Sequence, residues 1–126
     1  GHSMSATADL GNPHLVVVVD DCFTVDMSDL GSRYEALYPD GINIEVISVT
    51  DGASDKLDMV VWERGVGVSS ACGTGAVAAA VRAHQWDLVQ DEVRVQMPGG
   101  LVQVFVGKEP MLTGPAQYVG AIEVSA

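Results

Sequence analysis

The stretch Gly73-Thr74-Gly75-Ala76-Val77-Ala78-Ala79-Ala80-Val81-Arg82-Ala83 leaves this chain few folds to choose from. From Ala76 on it is mostly alanine, the strongest helix former, and it is nearly apolar on every side. A helix with one apolar stripe can lie on a surface, but a helix that is apolar all round must be enclosed. From Cys72 to about Trp86, then, the sequence predicts a buried helix of small residues, and the rest of the chain must supply its cover. Strand patterns lie on both sides of it. His14 to Asp20 is a valine-rich run suited to a strand buried on both faces. Asn43 to Val49 alternates apolar and polar residues, Asp51-Gly52 marks a turn, and Leu57 to Arg64 is the next strand. Glu92 to Met97 and Leu101 to Val106 flank the hairpin signal Pro98-Gly99-Gly100, and short strands follow at Met111 to Thr113 and Gln117 to Val124. A second, shorter helix is predicted from Ser28, as N-cap, to Leu37. The connections look too short for parallel crossovers. The expected architecture is therefore α+β, a mostly antiparallel β-sheet curled around one central helix.

A chain of 126 residues closes one core, not two. Gly1-His2-Ser3-Met4 reads as a cleavage scar, and residues 1–9 are set aside as scar and leader, leaving 10–126 as the domain. No apolar run approaches the ~20 residues of a membrane span, and no secretion signal is visible, so a cytoplasmic location is expected. Seventeen acidic residues against 6 Lys and Arg give a net charge of -11, which argues against nucleic acid as a partner. No Cys, His and carboxylate spacing suits a metal. Two cysteines, Cys22 and Cys72, make no disulfide framework. Cys22 lies among Asp20, Asp21 and Thr24, where carboxylates raise a thiol pKa, and is expected to be structural.

Cys72 stands in a different setting. The segment from Glu63-Arg64-Gly65-Val66-Gly67 to Ala71-Cys72-Gly73-Thr74-Gly75 leaves a strand, passes through glycines and enters the helix. Amide groups of a first helical turn and the positive end of the helix dipole attract an anion and favour a thiolate. The pieces suit a carboxylate cradle beside a base. The competing reading is a glycine-rich turn before a buried helix, with Cys72 a small apolar filler. Gly73 to Ala78 also fits a G-x-G-x-x-A dinucleotide pattern, but the long preceding loop and the lack of an acidic residue closing the next strand oppose it. In Gly11-Asn12-Pro13-His14, Asn12 can bind a carboxylate or ammonium and His14 can move a proton, although a plain turn entering a strand explains the four residues as well.

Taken together and in order, Gly11-Asn12-Pro13-His14, Pro39-Asp40-Gly41-Ile42-Asn43-Ile44-Glu45, Glu63-Arg64-Gly65-Val66-Gly67, Ala71-Cys72-Gly73-Thr74-Gly75-Ala76, Pro98-Gly99-Gly100 and Thr113-Gly114-Pro115-Ala116 resemble diaminopimelate epimerase. The resemblance runs from Leu10 to near the C-terminus and is to the second half of that enzyme. It implies two pseudo-symmetric halves, each giving one cysteine, with an amino-acid substrate in the cleft between them and no cofactor. It implies that Cys72 is the thiol of the second half, aided by His14 and Glu63. It also implies that Asn12, Asn43, Glu63, Arg64, Gly73 and Thr74 contact diaminopimelate.

Inversion at an α-carbon needs a base on one face and an acid on the other, so one thiol cannot do both. The first half, with the other cysteine, is absent here, and Val68-Ser69 replaces the family's usual Glu-Thr. The chain alone is accordingly expected not to epimerise. Two other readings remain: a different cofactor-independent isomerase, related to proline racemase, and a non-catalytic half-domain that covers its cleft face by forming a homodimer.

Overall fold

The structure is a computed structural model that describes residues 2–9, 13–38, 41–49, 54–63, 67–69, 73–107, 110–113 and 118–121. Among these residues one mixed sheet is formed by strands β1 (His2–Asp9), β2 (Pro13–Val19), β3 (Asn43–Val49), β4 (Lys56–Glu63), β5 (Gly67–Ser69), β6 (Glu92–Met97), β7 (Gly100–Phe105), β8 (Met111–Thr113) and β9 (Tyr118–Ala121). Their order across the sheet is β1-β2-β3-β4-β6-β7-β8-β9, and β5 folds back on the end of β4. The helices are α1 (Met27–Glu35) and α2 (Gly73–Gln85), with a 3-10 turn at Cys22–Thr24.

Three expectations need correction. The sheet is not built on antiparallel connections alone, because β2 pairs with β3 and β4 with β6 in parallel. The connections were long enough after all: residues 20–42 carry α1 between β2 and β3, and the β5 hairpin with α2 spans the gap from β4 to β6. There are also two helices against the sheet, one on each face. Residues 2–9, set aside as leader, form β1 along β2.

The alternation of each central strand explains the two faces. Val16 and Val18 of β2, Ile47 of β3, and Leu57, Met59 and Val61 of β4 pack with α2, and Val93, Val95, Met97 and Val104 complete that core. Leu15 and Val17, Ile44 and Val46, and Val60 point the other way and pack with Cys22, Met27 and Leu30. The valine-rich run is thus buried on both faces, as its composition predicts.

Helix α2 is covered on all sides: Ala76, Val77, Ala78, Ala79, Ala80 and Ala83 have no exposed surface. It lies against β1, β2, β3, β4, β6, β7 and β8. Its small side chains permit that close approach, since branched residues all round would hold the strands away. Helix α1 starts two residues earlier than predicted. Asp26, not Ser28, caps it, accepting from the Asp29 amide at 3.1 Å. Gly31 lies inside it, and its missing side chain makes room for Trp62. The β6–β7 hairpin turns through Pro98-Gly99, with Met97 opposite Gly100.

Candidate functional site

Register brings the predicted polar residues to one end of the sheet. His14 is opposite Asn43 across the parallel pair β2–β3. Ile44 is opposite Trp62 across β3–β4, so Asn43 and Glu63 end their strands side by side. His14, Asn43 and Glu63 therefore form a row across three adjacent strands. All three share the parity of Val16, Ile47 and Val61, the residues that face α2. His14 and Asn43 are buried, and Glu63 is half-buried.

The start of α2 lies at the same end. After α2, the Gln90 amide donates to the Ser54 carbonyl and the Arg94 amide to the Asp55 carbonyl, both at 2.7 Å, which anchors the chain at the beginning of β4. A helix of 13 residues is about 20 Å long, close to the length of β4. Its N-terminus, with Gly73 and Thr74 in the first turn, must then lie near the opposite end of β4, where Glu63 stands. The first-turn amides of a helix are the groups without intrahelical partners, and the dipole makes that end attractive to an anion. Asn12, Arg64 and Cys72, the other residues expected here, lie outside the described residues, as do the Gly11-Asn12 and Asp51-Gly52 turns. By sequence Cys72 directly precedes the first residue of α2.

One member of the site escaped the list of candidates. Glu45 is fully buried on the α2 side of β3, and its Oε1 is hydrogen-bonded to Nδ1 of His14. Its Oε2 is buried with no hydrogen-bond partner among the described residues. Burial pushes the Glu45 carboxyl up to about 6; the hydrogen bond and charge of His14 pull it down, and the nearby Glu63 charge adds a smaller push upward. The signal was in the strand pattern: Glu45 shares its face with Ile47, the face of a strand packed under an apolar helix.

Cys22 behaves as a structural thiol. It is fully buried, its amide donates to Ser48 Oγ at 3.1 Å, and burial leads in pushing the thiol up to about 11. At the far end of α2, near the surface, His84 meets Asp91 Oδ1 at 2.6 Å.

Comparison with known proteins adds family information to this geometry. The family model described as diaminopimelate epimerase matches residues 6–119. A diaminopimelate epimerase of Rhizorhabdus wittichii is 44% identical over 120 residues, which cover 92% of this chain and 43% of the relative. That of Zymomonas mobilis is 41% identical, covering 87% of this chain and 42% of its own length. The chain thus spans less than half the length of these curated relatives. Among solved structures, a phenazine biosynthesis protein of the PhzF family from Enterococcus faecalis aligns with a TM-score of 0.66 at 15% identity, over 86% of this chain and 44% of the other. One from Bacillus anthracis aligns with a TM-score of 0.60 at 14% identity, over 88% of this chain and 38% of the other. At such identities the likeness is one of fold.

Proposed function

The chain belongs to the diaminopimelate epimerase family, and from that premise we propose that it is the second half of a cofactor-independent enzyme converting LL- to meso-diaminopimelate, its sheet curled round α2 beside a cleft that the first half completes. The observation that carries this reading is the row His14, Asn43 and Glu63 at the end of the sheet where α2 begins.

The substrate's reacting end carries a carboxylate, an ammonium and an α-hydrogen. The amides of Gly73 and Thr74 hold the carboxylate at the N-terminus of α2, where the dipole also favours the charge that develops as the α-proton leaves. Glu63 accepts from an ammonium, and Asn43, with Asn12, fixes polar groups by donating and accepting at once. Arg64 offers a guanidinium to a carboxylate. Cys72, next to the helix start, is the thiolate base for one face of the α-carbon. A thiol from the first half returns a proton to the other face, so inversion needs both halves. His14 assists by setting the protonation of the site, with Glu63 beside it. The row suits an amino-acid substrate better than a bare interface, because an interface gains nothing from a buried histidine and asparagine aligned at a helix start.

The test is turnover of LL-diaminopimelate by this chain, alone and joined to the first half of the Rhizorhabdus wittichii relative. The expected result is no meso product from the chain alone and turnover by the joined enzyme. Cys72→Ala should lower that turnover by about 10²–10⁴-fold, the range of a lost acid-base group, while Cys22→Ala leaves the rate nearly unchanged. Epimerisation by the isolated chain would overturn the reading, and so would a joined enzyme in which Cys72→Ala has no effect.

A further inference from the structure

The pair formed by His14 and Glu45 is not needed to hold β2 to β3. Val16 and Ile47, on the same face of the same strands, show what packing under α2 requires, and both are apolar. Both members of the pair have fully buried side chains. A carboxylate in that position gives up its water, and one of its oxygens finds no hydrogen-bond partner among the described residues in return. What the carboxylate does gain is Nδ1 of His14.

The reach follows from register: Val16 is opposite Glu45, so His14 lies one pleat repeat away on the same face, a diagonal distance that a glutamate side chain spans. An imidazole bonded through Nδ1 to a carboxylate carries its proton there and has its ring plane fixed. Its chemistry then goes through Nε2. Glu45 thus decides which nitrogen of His14 works, at the end of the sheet that carries Asn43, Glu63 and the start of α2.

We propose that Glu45 is a positioning residue of the epimerase site: by accepting from His14 Nδ1 it holds the imidazole in the tautomer and orientation in which Nε2 serves proton transfer. The inference rests on the functional reading above and adds a residue to it. Burial of Glu45 supports it, since a desolvated carboxyl, pushed up to about 6, gains most from a hydrogen-bond donor set against it.

The first arm of the test reads the tautomer of His14 in this chain, labelled with ¹⁵N-histidine, from two-bond ¹H–¹⁵N couplings between pH 7 and 8. The native chain is expected to show the Nδ1–H form. Glu45→Gln keeps an accepting oxygen and should keep that form, whereas Glu45→Leu should lose it. The second arm measures kcat and KM of the joined two-half enzyme. Glu45→Leu should lower kcat roughly 10–100-fold, as loss of an orienting partner does, with KM changed by less than about 2-fold, and Glu45→Gln should restore most of the rate. An Nε2–H tautomer in the native chain overturns the proposal, and that measurement stands even if the leucine variant does not fold. A folded leucine variant with native tautomer or native kcat overturns it too. If the joined enzyme has no activity at all, the epimerase reading fails while the tautomer arm still judges the pair.

Discussion

Cys22 and Glu45 are both fully buried, and burial raises the pKa of each, yet the two groups stand differently toward neutral pH. The Cys22 thiol, pushed up to about 11 by burial, relieved in part by Ser48 and raised further by Asp58 and Asp21, stays protonated and inert. Sequence reasoning had the direction right but gave the nearby carboxylates the leading part, because burial under α1 cannot be read from neighbours along the chain. Glu45 is pushed only to about 6, from an ordinary 4.5, so its charge changes within an accessible range. The native state binds this proton more tightly than the unfolded chain does. The stability due to protonating Glu45 is therefore fully present below pH 4.5 and is lost as pH rises through about 6. Glu45→Gln, which is neutral throughout, serves as the reference. Relative to it, the native chain should gain stability as the pH falls from 7 to 5, measured by urea denaturation at each pH. A difference that stays flat, or moves the other way, would mean that His14 keeps the carboxylate ionised throughout.

At the scale of elements, α1 tests how a helix is fitted to a strand. Replacing an interior helical glycine by alanine ordinarily stabilises by about 1 kcal/mol. At Gly31 the added Cβ would lie 2.6 Å from Trp62 Cγ and closer still to Cδ2 and Cε3. Trp62 cannot easily give way, since its Nε1 donates to Glu35 Oε2 at 2.6 Å on the same helix. Gly31→Ala should therefore reverse the usual sign and destabilise by about 1–3 kcal/mol, seen as a lower urea midpoint. The partner of this glycine lies on a strand remote in the chain, so the fit could not be read from the local sequence. What could be read locally was read well. The buried helix announced itself by its alanines, and β3, β6 and β8 begin and end where their patterns do. Strand direction was lost, since periodicity reports which face is buried and says nothing about which strand lies alongside. The three residues of β5 were too few for any pattern. Asp26 and Ser28 are both good caps by residue type, and only the Asp29 amide distinguishes them. Glu45 was missed for a related reason: Asn43-Ile44-Glu45-Val46 alternates like a strand with one wet face, but β3 is covered on both faces and residues 43–48 are all buried.

At the scale of the whole molecule, a sheet with an apolar core on each face carries the row His14, Asn43 and Glu63 at one end. That arrangement leaves the site at the end of the domain, where a second half can close over it. Of the candidate residues, His14, Asn43 and Glu63 are scattered along the chain yet fall in register across three strands, while the pairing of His14 with Glu45 needed the structure. With a net charge of -11, the proposed anionic substrate would depend on local donors such as the start of α2 rather than on the general field of the protein. The most direct measurement follows the α-proton of LL-diaminopimelate by NMR in heavy water, with this chain alone, with the joined first half, and with Cys72→Ala in each. Loss of the α-proton signal and appearance of the meso product are expected only when both halves are present, with no loss in the Cys72→Ala form. Meso product from this chain alone, or signal loss that persists without Cys72, would contradict it.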